Sequence, residues 1–245
     1  MLKKTLMAAV VLGAATAAAA QTKWDLPSAH PISNFHTENL MQFIAEVDKT
    51  SAGKLKIQAH PNASLFKAPE IKRAVQSGQV QAGEVILNNF ENENPLFGLD
   101  GVPFLATSYG DAFKLYQAQK PALEKLLAAS NIKLLYTVPW QPQGMYANKQ
   151  VNGAADMVGL KWRAYSPATL RLAELAKAQP VQIQAAELSQ ALATGVVDSY
   201  MSSSSTGYDS KTYEHLTSSP TLAFGHRLCG KEGDSCCATH ELPLA

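Results

Sequence analysis

Residues 159–207 read GLKWRAYSPATLRLAELAKAQPVQIQAAELSQALATGVVDSYMSSSSTG. Within this stretch Leu160 to Tyr165 is a short run, bounded by Gly159 and by Ser166-Pro167, and it predicts a strand. Ala168 to Lys177 carries Leu170, Leu172, Ala173 and Leu175 and predicts a helix. Val181 to Ile183 predicts a second short strand, and Glu187 to Ala193 a second helix, stopped at Gly195. Strands separated by helices pair in parallel, so the stretch fixes the class as α/β. In sheets of that kind ligands gather beyond the carboxyl ends of the strands, where the strand order switches.

The same alternation extends upstream. Trp24 to Pro27 predicts a strand, and Asn34 to Lys49 a helix with Leu40, Phe43, Ile44 and Val47 at helical spacing. Ser51-Ala52-Gly53 stops that helix. Leu55 to Ala59 alternates with period two and predicts a strand. Pro69 opens a helix that buries Ile71, Ala74 and Val75 and ends at Gly78. Val85 to Leu87 predicts a further strand, Asp111 starts a helix with a second turn set beyond Pro121, and Lys133 to Val138 predicts another strand.

The N-terminus is an address. Lys3 and Lys4 precede an apolar run from Leu6 to Leu12, and Ala18-Ala19-Ala20 supplies small residues for cleavage before Gln21. Residues 1–20 therefore predict a secretory signal peptide, the apolar run being short for a membrane anchor. The mature chain is expected outside the cytoplasm, in the periplasm. With 21 basic and 20 acidic residues the formal charge is +1, which gives no reason to propose nucleic acid or an anionic membrane as a partner. The chain carries no Gly-x-Gly-x-x-Gly, no phosphate-binding loop, no His-Glu-x-x-His and no Gly-x-Ser-x-Gly. Nothing calls for a cofactor or a metal. Cys229, Cys236 and Cys237 lack Cys-x-x-Cys spacing and with His240 make a poor zinc site. A disulfide among the three would staple a loop and leave one thiol over.

Three segments, taken together, are similar to the solute-binding subunits of TRAP (tripartite ATP-independent periplasmic) carboxylate transporters, the DctP-like family. They are FIAEVDKTSAGKLKIQAHPNASLFKAPEIKRAVQSGQVQAGEV at 43–85, NPLFGLDGVPFL at 94–105, and the 159–207 stretch with its Gly-x-Lys-x-Arg strand and Ala-Leu-x-x-Gly-x-Val-Asp segment. The resemblance runs from Trp24 to Leu216. It implies a two-lobe periplasmic-binding-protein fold with a ligand cleft between lobes. Lobe I would take 21–143, with part of 207–219 returning to it, and lobe II 144–206. It also implies capture of a small organic acid for delivery to a membrane permease driven by an ion gradient, with no turnover.

The resemblance places the carboxylate-binding arginine at Arg163, in Gly159-Leu160-Lys161-Trp162-Arg163. The chemistry agrees, because a guanidinium is always charged and its planar fork can donate to both carboxylate oxygens. Trp140, Gln141 and Gln143 stand before the crossing into the second lobe, a rigid wall beside hydrogen-bonding amides. Ser202 follows the Val-Asp strand, with Ser203 and Ser204 not separable from it. His30 and Ser28 follow the first strand, and Asn88 follows the strand at Val85 to Leu87. Ile86 stands where sialic-acid-binding members carry an acid, which points to a smaller or more apolar ligand. Phe66, Trp140 and Trp162 are compatible with an aromatic or branched one.

Beyond Leu216 the resemblance stops, where family members continue with a strand and long helices. Residues 220–245 hold every cysteine and read as an aberrant, disordered tail, consistent with a reading-frame shift near Tyr213 to Ser219 and a C-terminal part that is missing. A chain lacking those helices is expected to fold poorly. Four other readings remain open: a binding protein for an ATP-driven importer, a non-functional truncated product of a binding-protein gene, an extracytoplasmic enzyme recruiting Asp156, Glu187 or Asp198, and a sensor or scavenging protein using the same cleft.

Overall fold

The computed structural model describes residues 21–102, 105–141 and 143–216. The signal-peptide and tail expectations lie outside the described residues. Two separate sheets organise the chain. The first pairs β1 (Thr22–Pro27) with β2 (Leu55–His60) in parallel, joined through α1 (Phe35–Thr50). The second has four strands in the order β3 (Gln143–Ala147), β6 (Ser199–Ser203), β4 (Lys161–Ala164), β5 (Gln179–Gln182). β4 lies parallel to both β5 and β6, as crossovers through a helix require, whereas β3 runs antiparallel to β6.

Local chemistry explains the element ends. Asn34 caps α1, its side chain accepting from the His36 backbone N–H. α2 (Ala68–Gln76) starts with Pro69 in its first turn. Ser108 caps α3 (Tyr109–Ala129), which runs unbroken through Pro121. Ser166 and Thr169 cap α4 (Pro167–Leu175) by exchanging hydrogen bonds. α5 (Leu188–Ala193) and α6 (Ser204–Asp209) complete the second unit.

Two expected strands are corrected. Val85 to Leu87 leads into a 3-10 turn over Leu87–Phe90, and Lys133 to Val138 has no assigned strand. A strand needs a ladder of hydrogen bonds to a neighbour, and β1 forms its ladder with β2 while its contact with this segment stops short of one. From the segment before Val85, Glu84 N–H reaches the end of β1, donating to the Pro27 carbonyl at 3.0 Å. An apolar run with β-branched residues cannot reveal from sequence whether a partner is beside it.

The motif at 159–163 has a structural meaning residue by residue. Gly159 has φ +77°, a conformation side chains rarely adopt, and so turns the chain into β4. Lys161 Nζ donates to the Gly195 carbonyl at 2.8 Å, tying β4 to the segment after α5. Trp162 and Arg163 then alternate across the sheet. Trp162 is fully buried among Met145, Ala147, Leu160, Ala164 and Ala173. It belongs to that core, which corrects the suggestion that it faces a ligand. Arg163 goes to the opposite face.

Candidate functional site

Arg163 stands in register with Tyr200 on β6 and Val181 on β5. Two residues further along β6, Ser202 returns to the same face, opposite Gly144 of β3. Tyr146 and Tyr200 stack beside them with centroids 4.7 Å apart and planes within 8°. This face therefore carries a cation, two phenol rings and a buried serine, with Arg163 and Ser202 toward the carboxyl ends of the parallel strands β4 and β6.

Arg163 is only 4% exposed. Its Nε donates to the Ile183 carbonyl at 3.1 Å, and the Tyr165 ring lies 5.2 Å from its central guanidinium carbon. Among the described residues no carboxylate forms an ion pair with it. Burial without a counter-ion pushes its pKa down to about 10, and even there the group stays charged at neutral pH. A desolvated cation with an open fork is costly to hold, and it is what an anionic ligand needs.

The first unit supplies the facing wall. His30 is buried just beyond β1, its backbone N–H donating to Ser28 Oγ at 3.2 Å. Its ring meets Trp140 edge-on at 5.1 Å, and His36 lies 3.9 Å from the same indole. Phe35 closes the group, 5.5 Å from Trp140. Burial first, and the Arg163 charge second, pull the His30 pKa down to about 4. Burial and His30 bring His36 to about 3. Both imidazoles are therefore neutral at pH 7 and form an uncharged wall toward Arg163.

Glutamines stitch the units together. Gln141 Oε1 accepts from Ser204 Oγ at 2.8 Å and from the Ser205 backbone N–H at 3.0 Å. Gln143 Nε2 donates to the Gln141 carbonyl at 3.0 Å, and Tyr165 O–H reaches Gln143 Oε1 at 3.5 Å. Asn34 Nδ2 donates to Asp209 at 3.2 Å, a further tie between the chain's two parts.

Of the residues singled out from sequence, His30 and Trp140 come into ring contact, Arg163 lies near enough for its charge to act on His30, and Gln143 joins the group through Tyr165. Gln141 is committed to Ser204 and Ser205. Ser202 shares the Arg163 face. Asn88 sits apart in the 3-10 turn over Leu87–Phe90, which packs on α4, and its buried Oδ1 has no hydrogen-bond partner among the described residues. Sequence reading missed Tyr165, Tyr200, Phe35, His36 and Glu84. Tyr165 was within reach, since it lies two positions beyond Arg163. Glu84 carried no signal, because it precedes an apolar run like many surface acids.

Glu84 is held at the end of β1. Ser28 Oγ donates to its Oε2 at 2.5 Å, and burial overcomes that bond to push the carboxyl up to about 7. The pH dependence of stability follows from these groups. The two histidines have folded pKa values below the unfolded 6.5, so stability is present above pH 6.5 and is lost as pH falls toward about 4 and 3. Glu84 is raised from 4.5, so its contribution is present below pH 4.5 and is lost as pH rises to about 7. Across pH 4.5 to 6.5 the two histidines favour a rise in stability, while Glu84, together with the burial-raised Asp100 and Asp209, opposes it. Glu84→Gln removes one opposing group and is therefore expected to make stability rise more steeply with pH than in the wild type over that interval. Chemical denaturation of both chains at several pH values reads the difference, and an unchanged or shallower profile in Glu84→Gln would contradict it.

The model of the bacterial extracellular solute-binding protein family 7 matches residues 28–218. A crystal structure of DctP6, a Bordetella pertussis extracytoplasmic solute receptor binding pyroglutamic acid, aligns with a TM-score of 0.77 and 64% identity, covering 80% of this chain and 65% of that one. A TRAP solute-binding protein from an unidentified marine microbe, specific for pyroglutamate, aligns with a TM-score of 0.77 and 50% identity, over the same shares. A solute-binding protein of Albidiferax ferrireducens is 28% identical over 175 residues, 70% of this chain. The chain spans about half the length of the curated relatives it matches.

The mixed α/β fold matches TRAP solute-binding protein structures, and within it Arg163 is buried with no ion-pair partner among the described residues. The chain belongs to the bacterial extracellular solute-binding protein family 7, the family of the TRAP solute receptors.

Proposed function

We propose that this chain is an extracytoplasmic receptor that captures a small organic acid, with pyroglutamate as its ligand, and hands it to the permease of an ion-gradient-driven TRAP transporter. One observation carries the reading: Arg163 is buried and charged, and no carboxylate of the described residues pairs with it. The ligand carboxylate completes that pair. The lobes are 21–143 and 144–206, with residues after 207 returning to the first, and the Asn34–Asp209 hydrogen bond supports that return. Trp140 and His30 wall the cleft from one side and Arg163 and Ser202 from the other, Gln141 and Gln143 lie at the crossing between the lobes, and Asn88 stays apart from this group in its own 3-10 turn. Periplasmic residence rests on the leader-like residues 1–20 and on the extracytoplasmic relatives.

The relatives at 64% and 50% identity point to pyroglutamate in particular. Its five-membered ring suits a wall of neutral imidazole and indole, and its single carboxylate suits one guanidinium. Binding is the activity, and the chain performs no turnover. A thermal-shift screen of small carboxylic acids tests this. Pyroglutamate at a hundred times its Kd stabilises the folded state by about 2.7 kcal/mol, which raises Tm by roughly 5–10 °C. A cooperative melt that no acid moves would overturn the reading.

A further inference from the structure

We infer that Tyr165 is a positioning residue for Arg163: its ring holds the guanidinium plane so that the two terminal nitrogens stand as a fixed fork for the ligand carboxylate. This deepens the receptor reading above and rests on it. An arginine side chain turns about several bonds, and a free one must give up that freedom when it grips a carboxylate. Two contacts remove the freedom in advance. Arg163 Nε donates to the Ile183 carbonyl at 3.1 Å, which fixes one edge of the planar group. The Tyr165 ring covers one face, with Arg163 Cζ 5.2 Å from the ring centroid. An edge and a face together set the plane, and both Nη atoms are left without a hydrogen-bond partner among the described residues. Strand alternation makes this possible, since residues 163 and 165 fall on the same side.

The ring is itself held. Tyr165 follows β4 directly, and its backbone N–H donates to Thr169 Oγ1 at 3.0 Å, the oxygen that also receives the Ser166 N–H at 2.9 Å. The first turn of α4 thus fixes the Tyr165 backbone. At the far end of the side chain the phenol O–H reaches Gln143 Oε1 at 3.5 Å, and Gln143 Nε2 donates to the Gln141 carbonyl at 3.0 Å. The ring therefore spans from the end of β4 to the start of β3. A cation over an aromatic face is attracted by the ring, and more strongly where water is excluded, as it is around the 4% exposed Arg163. A carboxylate in place of this ring would also orient the guanidinium, but it would consume the fork. The ring orients the cation and leaves its in-plane donors, and its net charge, to the ligand.

The test separates the ring from the hydroxyl. Tyr165→Phe keeps the ring and drops only the long contact to Gln143. Tyr165→Leu and Tyr165→Met remove the ring, and methionine stands in if the leucine variant has lost its cooperative melt. Calorimetric titration of the full chain with pyroglutamate is expected to place Tyr165→Phe within about threefold of the wild type and the ringless variants about 5- to 30-fold weaker. NMR relaxation at Arg163 Nε in the ligand-free chain gives a readout that loss of packing elsewhere does not move. Its order parameter should lie near the rigid value of about 0.85 in the wild type and Tyr165→Phe, and fall below about 0.6 in the ringless variants. Equal losses of affinity in Tyr165→Phe and the ringless variants, ringless variants that bind like the wild type, or an Nε that stays rigid without the ring would each overturn this inference while leaving the receptor reading intact. If the wild-type chain does not bind pyroglutamate, the receptor reading falls and this inference falls with it.

Discussion

Replacing Arg163 with methionine is expected to abolish acid binding without unfolding the chain. The argument has two halves. The guanidinium is buried, and its only hydrogen bond among the described residues runs from Nε to the Ile183 carbonyl. Removing one member of a buried charge pair costs about 2–5 kcal/mol of binding, so ligand affinity should fall roughly 30- to 5,000-fold. In the ligand-free state the balance reverses. The arginine there is desolvated without a counter-ion, and apolar side chains of similar volume in such positions are neutral or stabilising. Losing the bond to Ile183 costs about 1 kcal/mol, and relief of desolvation offsets it. Arg163→Met should thus melt within a few degrees of the wild type, or above it, while failing to respond to pyroglutamate. A variant that loses binding only because it has lost cooperative melting would show Arg163 to be structural.

The second large effect is expected one residue earlier. Trp162 fills the other face of the same strand, with no exposed surface, inside the cluster of Met145, Ala147, Leu160 and Ala173. Trp162→Ala should cost about 3–5 kcal/mol, against a total margin of roughly 5–15 kcal/mol for an ordinary domain. Trp162→Phe should cost clearly less than the alanine change. Its indole N–H is buried with no hydrogen-bond partner among the described residues, so phenylalanine removes volume without orphaning an acceptor there. Urea denaturation of both variants separates the terms. Equal losses would mean that the N–H has a partner and that the packing account of this position is wrong. The adjacent pair thus divides cleanly: Trp162 is expected to carry stability and Arg163 ligand affinity.

The reading of the sequence missed that division by grouping Trp162 with Trp140 on the ligand side, although period-two alternation in β4 puts adjacent residues on opposite faces. The helices were legible. Asn34, Pro69 and Ser166 mark helix starts by chemistry that operates within one turn of chain. The parallel pairing of β4 with β5 followed from the intervening helix. What sequence did not disclose was long-range. Val85 to Leu87 and Lys133 to Val138 carry strand-like residues, but strand formation depends on a neighbour supplied from elsewhere. Gln143–Ala147 forms an edge strand antiparallel to β6 although its Met, Tyr and Ala carry only a weak signal.

The candidate site divides in the same way. Arg163 was legible through its motif, and Tyr165 through strand alternation. The neutral character of His30 and His36 was not, since it arises from burial against Trp140, some 100 residues along the chain. Glu84 was invisible for a similar reason. Its raised pKa comes from burial beside Ser28, 56 positions away, whose hydroxyl donates to one carboxyl oxygen.

The most direct measurement is calorimetric titration of the chain with pyroglutamate and with pyroglutamamide, which keeps the lactam ring and replaces the carboxylate by a neutral amide. The account predicts saturable binding of the acid and none of the amide at concentrations about a hundredfold higher, because only the acid can satisfy Arg163. Comparable affinities for the two, or binding of the amide alone, would contradict it.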